Sequence, residues 1–300
     1  LILPSRSSFN FPSLSLNPMI DPVIITDVDD ADVEPLATTA EVDTVIASTA
    51  ADAQVPDDEI ASHRALRQRD IVPPAGLDEI VAIVIGVGAV GRAVAMQLAA
   101  LGVTKVILLD DDTVDTVNLA VQAYRPDQIG LPKVHACRDD YQRMLSDSNV
   151  IAKIMRLDNA KQVEEIIDDA ESLSNSRSRL AVFVCVDSMA ARHSIWRILK
   201  SSADFYVEAR MAAEAGEVIA LDQPRVQAKW YESALFPPSQ AVDLPCTAKA
   251  TIYGATILAA IMVGRFTVFV RRFPAAARVE FNLFSLEMDT SYPTGQNARA

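Results

Sequence analysis

The chain has 300 residues, half of them apolar, and carries a net charge of −13 with only three cysteines. That length suits one large α/β domain or two small ones with a sizeable core, and the acidic balance argues against a nucleic-acid or acidic-membrane footprint, because phosphate attraction needs a basic surface. Cys137, Cys185 and Cys246 are far apart in sequence, which excludes a four-cysteine zinc site and fits a reducing, cytoplasmic compartment better than a disulfide scaffold.

The first residue is leucine, so the sequence reads either as a fragment or as one that begins ahead of its true start; in the second case Met19 is the candidate start and the Ser- and Pro-rich residues 1–18 would not be translated. Those eighteen residues lack the charged, apolar and small-residue layout of a secretory signal. Residues 20–60 hold no basic and no aromatic residue. Such a stretch buries little and repels itself, so 1–60 is expected to be a disordered acidic leader. Order is expected from Ala61. Ala61 to Arg69 reads as a short exposed helix, and Pro73-Pro74-Ala75-Gly76 breaks the chain after it.

Val81 to Ile85 is a continuous apolar run, as in a parallel strand covered on both faces. Gly86-Val87-Gly88-Ala89-Val90-Gly91 follows. Val90, Val94, Leu98 and Leu101 then recur at helical spacing up to Gly102. Val106 to Leu109 is a second apolar strand. Strand, glycine turn, helix and strand make a βαβ unit. Glycines at 86, 88 and 91 let the backbone turn tightly and approach a phosphate, and the helix N-terminus adds amide donors. A tight turn without a ligand gives the same pattern. Arg92 fits either a charge near a phosphate or a solvated helix arginine. Asp110, at the end of the second strand, is placed to accept a hydrogen bond from a ribose hydroxyl, which leaves an NAD-dependent oxidoreductase open.

Further along, Lys133 to Leu145, Asn159 to Ile167 and Ser188 to Ser201 read as helices. Leu180 to Val186, Phe205 to Val207, Val218 to Leu221 and Arg278 to Leu283 read as strands. Gln223 to Pro245 is irregular, and Trp230 and Tyr231 within it fit either a partner's tail or ordinary packing. Ala250 to Gly264 has fifteen uncharged residues before Arg265. A membrane span needs about 20, so a buried helix is expected. Residues 289–300 read as a flexible tail. Cys137 and Cys185 fall in core patterns, and His63, His135 and His193 lack ligand spacing, so no zinc is expected.

After the glycine loop come Asp110-Asp111-Asp112-Thr113-Val114, then Asn118-Leu119-Ala120-Val121-Gln122, then Gln128-Ile129-Gly130-Leu131-Pro132-Lys133. This order resembles the ThiF-type adenylyltransferases of the ubiquitin-activating superfamily, whose pattern is a glycine loop, D-x-D-x-V-x-x-S-N-L-x-R-Q and D-I-G-x-x-K. Cys185-Val186-Asp187-Ser188 resembles that family's D-C-x-D-N strand end, and Leu235-Phe236-Pro237 its L-F-P segment. The resemblance covers about Ala61 to Glu287 and implies a Rossmann-like doubly wound α/β domain over 61–288.

It further implies ATP and Mg²⁺ as cofactors. By resemblance, Asp110 would hold the ATP ribose, and Asp112 would belong to the same cofactor-binding set. Asn118, Gln122 and Lys133 would face the phosphates, Ser188 would join the cofactor-binding residues, and Asp187 would hold Mg²⁺. The reaction implied is adenylation of the C-terminal carboxylate of a small ubiquitin-like or sulfur-carrier protein ending in Gly-Gly. A solvated lysine and a helix N-cap are the structural alternatives for Lys133 and Asp187. Where the family has arginine, this chain has Val121. Arg125 would compensate, or Arg64 and Arg67, which resemble a segment that reaches a neighbouring subunit's site in a homodimer. Failing both, the chain would be a catalytically silent nucleotide-binding scaffold. Cys246, followed by an apolar helix, resembles the family's crossover-loop cysteine: either it takes the acyl group as a thioester, with Lys249 lowering its pKa, or it is incidental, as in relatives that stop at the acyl-adenylate.

Overall fold

The computed structural model describes residues 63–174, 178–237 and 250–293. Its elements are α1 (Pro74–Asp78), β1 (Ile80–Ile85), α2 (Ala89–Leu101), β2 (Lys105–Asp110), α3 (Leu119–Gln122), α4 (Lys133–Met144), β3 (Asn149–Ile154), α5 (Ala160–Ser172), β4 (Arg179–Val184), α6 (Met189–Leu199), β5 (Phe205–Ala212), β6 (Ala215–Leu221), α7 (Ala228–Ala234), α8 (Ile252–Val270), β7 (Ala277–Asn282) and β8 (Glu287–Ser291). All eight strands form one sheet in the order β3-β2-β1-β4-β5-β6-β7-β8. The pairings from β3 to β5 are parallel. Those from β5 to β8 are antiparallel. The strand order reverses between β1 and β4, which opens a crevice at their C-terminal ends. This is the doubly wound α/β fold expected.

Period-two geometry splits β1 between two cores. Ile80, Ala82 and Val84 face the layer of α2, α4 and α8. Val81, Ile83 and Ile85 face the layer of α5, α6 and α7. Every residue of β1 is buried, which is why the strand reads as an unbroken apolar run. In α8, Leu258, Met262 and Phe266 have no exposed surface. At about 1.5–3 kcal/mol for each fully buried side chain, these three contribute up to about 9 kcal/mol. Phe266 stacks into an aromatic group with Phe183 and Phe205 at centroid distances of 5.4 and 6.0 Å. The helix read as buried is therefore a core helix. It runs past Arg265 to Val270 because the Arg265 guanidinium leaves the helix for the Ala275 carbonyl, 3.0 Å away.

Several boundaries differ from the sequence reading. The tail expected from 289 begins as strand β8, an edge strand whose five residues are all exposed. Its one apolar residue, Met288, is exposed, and the strand is held by its ladder to β7. The edge strand β3, with sequence NVIAKI, is likewise half-exposed and carries no strong period. Pro74 opens a short helix as its first residue, where a missing N–H costs nothing. Within the stretch read as irregular, α7 forms, and its Tyr231 is fully buried against Trp196 at 4.3 Å and Tyr206 at 5.4 Å. Tyr231 is therefore core packing. His63 and Arg64 are helical, and from Ala65 to Val72 the chain continues in hydrogen-bonded turns, where the helix was expected to run on to Arg69. The acidic leader up to residue 60 lies outside the described residues.

Candidate nucleotide site at the strand ends

Three adjacent strand ends carry the site. Gly86 leaves β1 with a φ of +85°, a conformation glycine adopts freely. Its amide donates to the Leu109 carbonyl of β2 at 2.7 Å, and the Cys185 amide, just past β4, donates to Ile85 at 2.8 Å. Gly91 lets α2 sit down on the loop, since a Cβ there would lie 1.7 Å from the Gly86 oxygen. At Gly88 the situation is the reverse: a Cβ would meet only the Gln122 Nε2, at 3.9 Å. The loop is closed beneath and open above.

Asp110 ties β2 to the loop. Its Oδ2 accepts from the Val87 amide at 2.7 Å and its Oδ1 from the Asp112 amide at 2.9 Å. Burial pushes its carboxyl above the usual range, against those two hydrogen bonds and the nearby Lys133 charge. Lys133 opens α4 and is 6% exposed. Its ammonium donates to Asp112 at 2.9 Å, so it is not a solvated lysine. A bridge between Thr113 and Pro132, with the Lys133 amide donating to the Asp112 carbonyl at 3.0 Å, holds the two segments together. The hydroxyl of Tyr124 joins the same unit by donating to the Val87 carbonyl at 2.7 Å. Gln122 reaches the loop from α3, and its Oε1 is buried with no hydrogen-bond partner. An open cradle beside an orphaned acceptor fits a ligand with donors and phosphates. The Asn118 side-chain oxygen accepts from the Asp115 amide at 2.9 Å and closes the turn before α3.

Asp187 lies just past β4, next to β1 in the sheet. The N-cap of α6 is Ser188, whose hydroxyl accepts from the Ala191 amide at 3.3 Å. The capping alternative for Asp187 is thus taken by its neighbour. The Asp187 carboxylate is exposed and makes no ion pair or hydrogen bond among the described residues. A free hard oxygen donor suits Mg²⁺. The triplet Asp110-Asp111-Asp112 also brings carboxylate oxygens within 4.8 Å of one another. However, Asp110 is occupied by backbone amides, Asp112 by Lys133, and Asp111 by Arg156 at 3.2 Å.

The arginines are placed differently from the sequence reading. Arg92 turns away from the loop and is neither solvated nor aimed at a phosphate. It is 7% exposed, pairs with Asp140 at 2.8 Å and donates to the Ala123 carbonyl at 3.0 Å. Asp140 is a hub: Arg125 pairs with it, Gln128 donates to it at 2.9 Å, and Arg143 lies at 3.4 Å. Arg125 is held there and by Asp127 at 3.0 Å, so it does not point toward the loop as the substitute for an arginine at Val121. Arg64 donates to the Met144 carbonyl at 2.7 Å, at the far end of α4, and Arg67 in the same segment is exposed. Within one chain these two do not meet the site. Cys246 and Lys249 lie outside the described residues.

Sequence reasoning missed Asp140, Tyr124 and Arg192. For Asp140 a signal existed. It shares the buried face of α4 with Lys133, Cys137 and Tyr141, and a carboxylate on such a face needs a cation.

The ThiF family matches residues 66–298. The ubiquitin-like modifier-activating enzyme 5 of Caenorhabditis elegans is 29% identical over 44% of this chain and 32% of its own length. The molybdopterin-synthase adenylyltransferase of Escherichia coli K12 is 30% identical over 43% of this chain and 49% of its own. The chain thus spans a third to a half of these curated relatives. A PaaA crystal structure superposes with a TM-score of 0.61 at 19% identity, covering 86% of this chain and 83% of that one. Escherichia coli MccB, crystallised with AMPCPP and MccA, gives a TM-score of 0.57 at 13% identity, covering 83% and 82%. At these identities the structures speak for the fold alone.

Proposed function

The chain belongs to the ThiF family, and we propose that it adenylates the C-terminal carboxylate of a small ubiquitin-like or sulfur-carrier protein, using ATP and Mg²⁺. The observation that carries this reading is the convergence of the glycine loop, Asp110, the Lys133–Asp112 pair and the free Asp187 on neighbouring strand ends. A substrate carboxylate oxygen attacks the α-phosphorus of ATP. The bond to the bridging oxygen breaks and pyrophosphate leaves. Negative charge grows on the phosphate oxygens, and a preorganised cation lowers its cost. Lys133, buried at a helix start, is that cation, and Asp110 orients the ribose. Asp187 would hold Mg²⁺, which would supply positive charge against that of the phosphates. The partner's Gly-Gly end, the homodimer that brings Arg64 and Arg67 to a neighbouring site, and a cytoplasmic setting are parts of the same proposal.

A second reading has its own support. With Val121 in place of arginine and Arg125 held by Asp140 and Asp127, the site suits a nucleotide-binding scaffold without catalysis. ATP–pyrophosphate exchange separates the two. Exchange that depends on a Gly-Gly-ended protein and disappears in both Lys133→Ala and Asp187→Ala supports adenylation. ATP binding without exchange, across candidate acceptors, supports the scaffold. NAD⁺ binding in preference to ATP refutes both.

A further inference from the structure

Arg192 lies one turn into α6, and its amide donates to the Ser188 carbonyl at 3.1 Å. An arginine at such a place is ordinarily solvated, yet this one is 3% exposed. Its side chain folds back beneath the strand ends. One guanidinium nitrogen donates both to the Val186 carbonyl and to the Ala209 carbonyl of β5, the latter at 2.7 Å. The other lies 3.4 Å from the carboxylate of Glu208, which has no exposed surface. Glu208 sits opposite Val184 in the β4–β5 ladder. It also accepts from Arg210 Nε at 2.7 Å and from the Tyr231 hydroxyl at 2.5 Å.

The position of this cluster matters. The named ladder between β4 and β5 stops at Val184. Beyond it, Cys185 is held to β1 through Ile85, and Val186 is held through Arg192. The next residue is Asp187. Ser188 caps the helix, so Asp187 needs no local contact of its own. A buried ion pair is a poor device for stability alone, because apolar residues of similar volume are often neutral or better. It is a good device for direction. A planar guanidinium holds two carbonyls through one nitrogen while the other, without a hydrogen bond, stays in ion-pair range of Glu208, which a lysine ammonium on a flexible stem does not do in the same geometry.

We propose that Arg192 is a positioning residue: through the Val186 carbonyl, with Glu208 as its anchor, it aims the Asp187 carboxylate at the metal that accompanies the nucleotide. The proposal rests on the reading of Asp187 as a Mg²⁺ ligand. Supporting shells of this kind fix ligand orientation, and their loss typically costs about 10–100-fold in metal affinity.

The test uses the full chain, Mn²⁺ as the probe and the non-hydrolysable AMPCPP as nucleotide. Free Mn²⁺ is counted by electron paramagnetic resonance in wild type, Arg192→Lys, Glu208→Gln and Asp187→Ala. AMPCPP affinity is measured separately without metal. Arg192→Lys is expected to keep metal-free AMPCPP affinity within about twofold and to weaken Mn²⁺ binding in the ternary complex at least tenfold. The Mg²⁺ concentration needed for half-maximal pyrophosphate exchange rises in parallel. Glu208→Gln, which keeps the volume but loosens the anchor, shifts both in the same direction by less, and carries the test if the lysine variant does not fold. Unchanged Mn²⁺ affinity in the folded variants, with Asp187→Ala weakened, overturns the positioning role. Unchanged Mn²⁺ affinity in Asp187→Ala overturns the metal reading beneath it.

Discussion

Alanine at Gly91 and alanine at Gly88 are expected to fail for different reasons. At Gly91 the new Cβ would lie 1.7 Å from the Gly86 oxygen and 2.8 Å from its carbonyl carbon. A close carbon–oxygen contact needs about 3.3 Å, so the backbone must part by roughly 1.6 Å. Both groups are main chain, and no side chain can rotate to relieve the overlap. Overpacking costs about 1–3 kcal/mol where side chains yield, so about 3 kcal/mol is the lower estimate here. For a domain of this size that lowers Tm by about 6–12 °C.

At Gly88 the Cβ meets the Gln122 amide at 3.9 Å, an ordinary contact. The Tm should stay within about 2 °C, because a substitution without burial or strain changes stability by about 0.5 kcal/mol or less. The methyl would nevertheless stand in the open mouth of the loop. ATP affinity should therefore fall at least about tenfold, or 1.4 kcal/mol. Thermal melting by far-UV circular dichroism and calorimetric ATP titration read the two effects. A Gly88→Ala protein that binds ATP like wild type would refute the placement of phosphate above the loop. A Gly91→Ala protein with an unchanged Tm would refute the packing argument.

Three further outcomes follow from the buried charges and thiols. Asp140→Ala strips Arg92 of its buried carboxylate and should cost about 3 kcal/mol in urea unfolding, whereas Arg143→Ala, at the exposed rim of the same hub, should cost under about 1 kcal/mol. Burial raises the Asp140 carboxyl, but the hydrogen bonds from Gln128, Arg125 and Arg92 outweigh it and hold it below the usual range. Its stabilisation is therefore complete above the ordinary aspartate value near 3.9 and is lost as pH falls through its lower folded value; acid unfolding of wild type should be steeper than that of the Asp140→Ala variant. Asp110 behaves in the opposite sense. Burial raises its carboxyl, so ionising it costs stability as pH rises through the folded value, while a ribose hydroxyl requires the ionised form. ATP affinity should climb over that same interval, with a midpoint above about 3.9, and Asp110→Asn should flatten the curve. Burial pushes the thiols of Cys137 and Cys185 up to about 12. Iodoacetamide at pH 8 should leave both unmodified in the native protein and label them after denaturation, as peptide mass spectrometry will show.

Much of the fold was legible in the sequence because its signals are local. β1, β2 and β4 are covered on both faces, so each is a continuous apolar run that needs no partner to be recognised. The glycine loop, with Asp110 twenty-odd residues on, is a unit whose spacing reflects one strand–helix–strand passage. Asn159 and Ser188 cap helices at the start of their own periodic segments. What the tertiary structure alone decided is how charges pair. Arg92 and Asp140 are 48 positions apart, and no local pattern says that an arginine beside a glycine loop will turn inward to a carboxylate on another helix. Arg125 follows the same logic, since its partner Asp140 lies on α4. The edge strands β3 and β8 form from ladder hydrogen bonds with little apolar burial, so their sequences carry no period to read. Ser188 rather than Asp187 takes the helix cap, and only the folded strand end shows that the neighbouring carboxylate is thereby left free. Local sequence determines which residues form strands and helices; the pairing of buried charges depends on which elements the sheet brings together, and that is settled only when the whole chain has packed.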